Sequence, residues 1–330
     1  MESESIILIN NNNNNMSLIK KPFELEIQTS IKALIYGQPG LGKSTMGLSA
    51  PKPVLLDFDN GVHRVNSAHQ VDTLQVTKWQ EVIDVINSGE LKNYDSIVID
   101  TAGKMLDYLS IHLIEKNPKL GKANGALSLQ GYGERKSEFN QFLKRVALMG
   151  KHLIFIAHEK EEKQGDETYK RPEVGGSSGT DLYKELDLIG YMEANGKKRT
   201  ISFAPTDKFY AKNSCGLTEV IEFPEIKEGE PNNFFTKHVI DTNKQSLSTR
   251  KEKVEAYTEL MDIFEAKIES ANDAESLNEV LSFINDYKEH IWSSKIQAGV
   301  LLMAKAKNVT GITFDKTSKT FIAEKVPANV

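Results

Sequence analysis

Cysteine is almost absent: Cys215 is the single one in 330 residues. No disulfide can form within the chain, and no metal site that needs several cysteines is available. No apolar run approaches the roughly 18 to 20 residues that a membrane-spanning helix requires. A secretory leader is not recognisable either, because Met1-Glu2-Ser3-Glu4 is acidic where such a leader is basic, and the apolar run Ile6 to Ile9 is too short for its core. These absences predict a reducing, cytoplasmic setting. Positive charge is not in excess, with 41 Lys and Arg against 46 Asp and Glu, a net of −5. A protein coated in basic surface is excluded, and any surface for nucleic acid must be local. Zinc-finger, RRM and basic-zipper signatures are missing, so sequence-specific reading of a duplex has no support.

What remains is ordinary globular material, 39% hydrophobic and 26% charged, long enough for about two domains. Asn10 to Asn15 is an uninterrupted asparagine run that buries nothing. Residues 1–22 are accordingly expected to form a flexible tail, with Met16 as an alternative start. From Ile31 onward short β-type runs alternate with helical stretches, as a parallel α/β sheet requires. The expected strands are Lys32 to Tyr36, Pro53 to Asp57, Thr73 to Val76, Ser96 to Asp100 and His152 to Ala157. The expected helices are Lys43 to Ser49, Trp79 to Ser88, Gly103 to Glu115 and Glu134 to Met149. Glu159 to Asp181 reads as a polar loop. Two antiparallel strands follow, near Leu188 to Glu193 and Arg199 to Phe203, with Asn195-Gly196 as a turn signal. The polar stretch 225–250 reads as a linker or covering loop. Residues 251–330 then show helical spacing, at Val254, Tyr257, Leu260, Met261, Phe264 and Ile268 and again at Leu277, Val280, Leu281, Ile284 and Ile291. Glu252 to Glu289 holds 11 acidic and 3 basic residues, a net of −8. The predicted organisation is thus an α/β core over 23–224, a linker, and a small acidic helical module suited to a protein partner.

One motif carries explicit chemistry. Gly37-Gln38-Pro39-Gly40-Leu41-Gly42-Lys43-Ser44 fits G-x-x-x-x-G-K-[ST], sits directly after an apolar strand and opens a helix. Glycines allow a tight loop whose backbone N–H groups converge on phosphate oxygens, and the helix N-terminus adds partial positive charge. The spacing assigns ATP and Mg²⁺ as cofactors: Lys43 reaches the β- and γ-phosphates, the Ser44 hydroxyl binds Mg²⁺, and Thr45 completes the cradle. Ser96 to Asp100 is an apolar strand ending in a carboxylate, which places Asp100 beside Ser44 as the second metal contact.

The order of the other elements resembles RecA-like ATPases. Leu55-Leu56-Asp57-Phe58-Asp59 is similar to the strand on which that family carries the carboxylate that activates the attacking water, with Asp59 in place of the usual Glu. Leu153-Ile154-Phe155-Ile156-Ala157-His158 is similar to the strand whose terminal polar residue senses the γ-phosphate, here His158. Asp207-Lys208-Phe209-Tyr210-Ala211-Lys212-Asn213-Ser214-Cys215-Gly216 resembles the lysine-bearing end of the core, and Lys212-Asn213-x-x-Gly216 the Lys-Asn-Arg-Phe-Gly motif of RadA, from which Ser214 and Cys215 depart. In that superfamily such lysines reach the neighbouring subunit's nucleotide. Residues from about 30 to 223 therefore resemble phage-encoded RecA-like ATP-binding proteins of single-strand-annealing recombination. The resemblance implies a RecA-like P-loop NTPase core, mostly parallel with a terminal antiparallel portion, and an ATPase that assembles as a ring or filament, with Lys208 and Lys212 acting across the interface.

A DNA surface has its own local signal. Lys116 to Lys151 contains eight basic residues and two acidic ones, a net of +6, together with Gly121, Gly125, Gly131, Tyr132 and Gly133. This reads as a mobile loop in which Tyr132 stacks on a base while lysines track the backbone of single-stranded DNA. Lys197, Lys198, Arg199, Lys208 and Lys212 form a second basic cluster. Two alternatives stay open: an ATP-binding assembly switch or adaptor with little turnover, and a small-molecule kinase with Asp57 and Asp59 at its acceptor.

Overall fold

The computed structural model of the chain describes Lys20, Leu25 and residues 28–323 other than 228. Apart from Lys20, the tail expected over 1–22 lies outside the described residues, as do the asparagine run and Met16. Two compact units are found, one spanning Gln28–Leu247 and one formed by residues from Ser248 onward.

In the first unit, the strands are β1 (Lys32–Gly37), β2 (Pro53–Asp57), β3 (Thr73–Gln75), β4 (Ser96–Asp100), β5 (His152–Gln164), β6 (Glu167–Pro172), β7 (Leu188–Asn195), β8 (Lys198–Ser202), β9 (Lys212–Asn213) and β10 (Val220–Phe223). They form one sheet in the order β10-β8-β7-β1-β5-β4-β2-β3, with β6 on β5 and β9 on β7. The pairs from β7 through β1, β5, β4 and β2 to β3 are parallel, whereas β8, β9 and β10 join antiparallel. This is the expected mostly parallel sheet with a terminal antiparallel portion, and the glycine-rich loop leaves the end of strand β1. Leu34, Ile35, Ile97, Val98, Ile99, Ile154 and Phe155 are all fully buried, because strands covered on both faces need continuous apolar runs rather than alternation.

Helices α1 (Lys43–Gly47), α2 (Trp79–Ser88), α3 (Ala102–Lys116), α4 (Leu129–Leu148) and α5 (Gly176–Glu185) connect these strands. Helix α4 begins a turn earlier than expected, and the Ser128 hydroxyl caps it by accepting the Gly131 N–H at 3.1 Å. Tyr132 therefore stands on a helix rather than in a mobile loop.

The loop expected over Glu159 to Asp181 is instead a hairpin followed by α5. Its strands are held by cross-strand charge pairs, Lys170 with Glu159 at 3.0 Å and with Glu161 at 2.5 Å. The linker expected over 225–250 is likewise largely helical. A π-helical stretch, Thr236–Asp241, leads into α6 (Thr242–Ser270), and Phe234, Phe235, Val239 and Ile240 cover the sheet with Leu188, Met192 and Phe223.

In the second unit, α6 continues, with α7 (Ala274–Asp286), α8 (Ser294–Asn308) and a hairpin of β11 (Ile312–Asp315) and β12 (Thr320–Ala323) that sequence periodicity had not suggested. Leu260, Phe264, Ile268, Leu277, Ile284, Leu302 and Phe321 form its core. Among the described residues, no helix is long and apolar enough to cross a membrane.

Candidate nucleotide site

The phosphate cradle is built by contacts that only glycine permits. At Gly37, with φ of 154°, a Cβ would run into the Met192 carbonyl of β7, so the loop is pressed against the sheet. Gly40 and Gly42 have φ of 81° and 88°, the left-handed region that turns the chain back into α1. Lys43 is buried beneath this loop, and its ammonium donates to the Gln38 carbonyl at 2.6 Å. Burial pulls the Lys43 ammonium below the usual lysine range, against the opposing charges of Asp100 and Glu159.

Strand order brings the two candidate metal residues together. The Ser44 hydroxyl donates to the Asp100 carboxylate at 2.5 Å, across the gap between α1 and the end of β4. Burial pushes the Asp100 carboxyl up, and Asp57 and Asp59 add to the effect, while Ser44 and Lys43 oppose it. A divalent cation would be welcome between these groups. Among the described residues, no three His, Cys, Asp or Glu side chains converge as a metal site, so an ion here would rest on Ser44, Asp100 and nucleotide phosphate.

A cavity of about 600 Å³ opens over the loop and is lined by Pro39, Gly40, Gly42, Lys43, Ser44, Thr45, Asp59, Gly61, Arg64, Val65, Asp100, Ile156, His158 and Arg199. His158 pairs with Gly37 in the β1–β5 register, and its Nδ1 is buried without a hydrogen-bond partner. A buried, unpartnered ring nitrogen costs free energy until something meets it, and a phosphate oxygen or its water would. The glycine cradle, the Ser44–Asp100 pair and this nitrogen together fit ATP with Mg²⁺: Gly37 to Thr45 would hold the phosphates, Ser44 and Asp100 the metal.

Asp59 lies in the same cavity with both of its oxygens ion-paired. Arg64 binds one of its oxygens and Lys104 of α3 the other at 3.1 Å. Burial pushes the Asp59 carboxyl up, but hydrogen bonds and charge from Lys104 and Arg64 outweigh it and hold the group below the usual carboxylate range. Asp57 is buried and accepts the N–H groups of Asp59, Gly61 and Val62 at 3.1, 3.0 and 2.9 Å. Both carboxylates that the kinase alternative gave to an acceptor are thus engaged within the fold.

Lys208 and Lys212 do not line this cavity. The Lys212 ammonium donates to the carbonyls of Leu186, Lys184 and Tyr183, closing the C-terminal end of α5. Of the basic run Lys116 to Lys151, Arg135 is buried against Ser110 and Gly175, Lys136 pairs with Asp181 at 2.9 Å and Lys151 donates to Tyr94. The guanidinium of Arg135 covers the Tyr132 ring at 5.0 Å. A second cavity, about 850 Å³, gathers Lys160, Arg171, Tyr183, Lys184, Tyr210 and Lys212 around α5, with Glu162 among them. Sequence reasoning missed Arg64 and Lys104, which sit in no motif, and placed Arg199 in a basic cluster rather than beside Gly42.

Residues 29–215 match the profile of a family described as an AAA domain. Over 222 residues the chain is 24% identical to the SPbeta prophage-derived uncharacterized protein YorG of Bacillus subtilis (strain 168); the alignment covers 63% of this chain and 60% of YorG, less than two thirds of that relative's length. Among solved structures, it is similar to a KaiC-like protein of Pyrococcus horikoshii OT3, at 10% identity and a TM-score of 0.35 over 59% of this chain and 89% of that one. It is also similar to the RadB recombinase, at 14% identity and a TM-score of 0.35 over 61% and 89%.

Proposed function

The chain belongs to the AAA domain family, and from that premise we propose that it binds and hydrolyses ATP with Mg²⁺ and acts on single-stranded DNA in phage recombination or replication, in the cytoplasm of the host. The observation that carries the nucleotide reading is the glycine cradle closed over Lys43 with Ser44 and Asp100 in contact. A lysine about 4 Å from a phosphate is worth about 4 kcal/mol at an effective dielectric near 20. Lys43→Ala should therefore weaken ATP binding by orders of magnitude in a direct titration; near-normal binding would refute the reading.

For DNA, the support is the cavity around α5, where Tyr183 and Tyr210 lie 5.4 Å apart among four cations. Bases stack on such rings while cations follow the backbone. Log affinity for single strands should fall with log salt by about 0.7 per phosphate contact, and Tyr210→Ala should cost about 1 to 3 kcal/mol of binding. A flat salt response removes the DNA reading. The prophage origin of YorG supports the phage context.

Assembly belongs to the same proposal. Lys208 and Lys212, outside their own subunit's nucleotide cavity, would serve the next subunit in a head-to-tail ring or filament. A Lys43→Ala protein mixed with a Lys208→Ala protein should regain ATP turnover at interfaces that pair an intact loop with an intact lysine; mixed oligomers without turnover would sink this. The acidic module remains the proposed surface for a recombination or replication partner. The ion pairing of Asp59 favours a second reading, an ATP-dependent assembly switch with little turnover, and a turnover assay with and without single-stranded DNA separates the two.

A further inference from the structure

The turn after β2 is more firmly built than a connection requires. Buried Asp57 holds three of its N–H groups, and the Asp100 carbonyl accepts from the N–H groups of Phe58 and Asp59 at 2.7 and 3.2 Å. On this frame, a single 3₁₀ turn over Val62–Arg64 carries the Arg64 side chain back across the loop. The guanidinium passes over Gly61, where a Cβ would strike Nη2, and comes to rest on Asp59. Its side chain is 61% exposed, and exposed ion pairs contribute only about 0 to 1 kcal/mol, so stability does not account for the construction. What the construction achieves is placement: Arg64 lines the same cavity as Lys43, Ser44, Asp100 and His158.

We infer that Arg64 is the γ-phosphate contact by which the site distinguishes a nucleoside triphosphate from a diphosphate, supplied within the same subunit, with Asp59 as its resting partner. This rests on the nucleotide reading above. Two cations share the Asp59 carboxylate, which leaves a surplus of positive charge at the cavity wall. A terminal phosphate can take the guanidinium in a bidentate pair, the geometry to which arginine is suited. Lys104 stays behind on Asp59 at 3.1 Å, so the exchange leaves no carboxylate without a partner. Arg199, the other arginine at the cavity, is placed differently. Its guanidinium lies over the Phe223 ring at 5.1 Å, donates to the Pro224 carbonyl at 3.4 Å and flanks Gly42, beside the part of the loop that ADP and ATP occupy alike.

The test is nucleotide affinity of the full-length protein with Mg²⁺, measured by calorimetry for ADP and for a non-hydrolysable ATP analogue. Arg64→Ala should lower affinity for the triphosphate at least tenfold while ADP stays within twofold, and Arg64→Lys should recover part of the loss. Arg199→Ala should weaken both nucleotides by similar factors. Unchanged ADP binding also shows that the variant is folded. If Arg64→Ala keeps the wild-type ratio of the two affinities, or if the wild type shows no preference, the assignment of Arg64 is overturned and the nucleotide site stands. If the wild type binds neither nucleotide, the reading of the site itself fails and this inference goes with it.

Discussion

The Ser44 hydroxyl donates to the Asp100 carboxylate across 2.5 Å, so the two groups that would share a metal ion hold each other in its place. Asp100 is mostly buried at the end of β4, and burial, with Asp57 and Asp59 nearby, keeps its carboxyl above the usual range. A folded-state value above the unfolded one means that the folded protein holds the proton more tightly. Stability is therefore lost as pH rises through that window.

Asp100→Asn removes this charge without changing the shape. Without nucleotide or metal, the variant should melt higher than the wild type at pH 8, by about 2 to 4 °C for each kcal/mol recovered in a unit of this size, and the gap should narrow as pH falls. Its ATP affinity should no longer respond to Mg²⁺. A variant that is not more stable would refute the cost of burying this charge, and one that keeps its Mg²⁺ response would place the metal elsewhere.

Gly37 tests the cradle from the other side. A methyl group there meets the Met192 carbonyl, and Leu41 stands at 3.2 Å, with φ at 154° adding strain. Gly37→Ala should cost about 1 to 3 kcal/mol of stability and more than that in ATP affinity, because the loop must lift from β7. Calorimetry beside thermal melting separates the two losses. Equal losses would mean that the loop keeps its shape.

How much of this was legible in the sequence depended on the kind of signal. The cradle and Asp100 lie within a few residues of apolar strands, so local pattern placed them. The β5–β6 hairpin was invisible because its partners are charged on both sides, Lys170 with Glu159 and Glu161, and carry no hydrophobic alternation. The helical stretch after Asn233 was hidden by its period. Phe234 and Val239 are five apart, as are Phe235 and Ile240, which fits i→i+5 bonding rather than an α-helix. Gly131 and Gly133 suggested a loop, yet both stand on α4, and the close approach of the Leu120 carbonyl, 2.5 Å from where a Cβ would sit, accounts for the glycine at 131. Arg64 and Lys104 find Asp59 only through the fold, since one lies on the turn after β2 and the other on α3.

Acid should expose a weak point away from the nucleotide. His152, 7% exposed, accepts the Ile31 N–H on Nδ1 at 3.1 Å. Burial brings its pKa down to about 4 from 6.5, with Lys244 adding and Asp95 opposing. A depressed histidine value means that its contribution is complete above pH 6.5 and is lost as pH falls toward 4, by on the order of 2 to 3 kcal/mol in all. His152→Asn, whose amide oxygen can take the same N–H, should flatten the fall in melting temperature between pH 7 and pH 5. An unchanged slope would assign the acid sensitivity to other groups.

Lys212 presents the sharpest choice between a structural and a catalytic lysine. Its ammonium closes the end of α5 through the carbonyls of Leu186, Lys184 and Tyr183, which uses all three of its donors. A partly buried cation at a helix C-terminus contributes about 0.3 to 2 kcal/mol, so Lys212→Ala should lower stability by that amount and speed amide exchange near the end of α5. Lys208 makes no such closure: its backbone N–H meets the Thr206 hydroxyl at 3.1 Å. Lys208→Ala should leave amide exchange in α5 unchanged. If both variants lose ATP turnover but only Lys212→Ala loosens α5, the shared loss supports the proposed contact with a next subunit. If Lys212→Ala alone loses turnover, in step with the loosening of α5, the lysine acts by holding that helix beside the cavity of Tyr183 and Tyr210. An α5 whose exchange is unaffected in Lys212→Ala would refute the cap and free Lys212 for the neighbouring nucleotide.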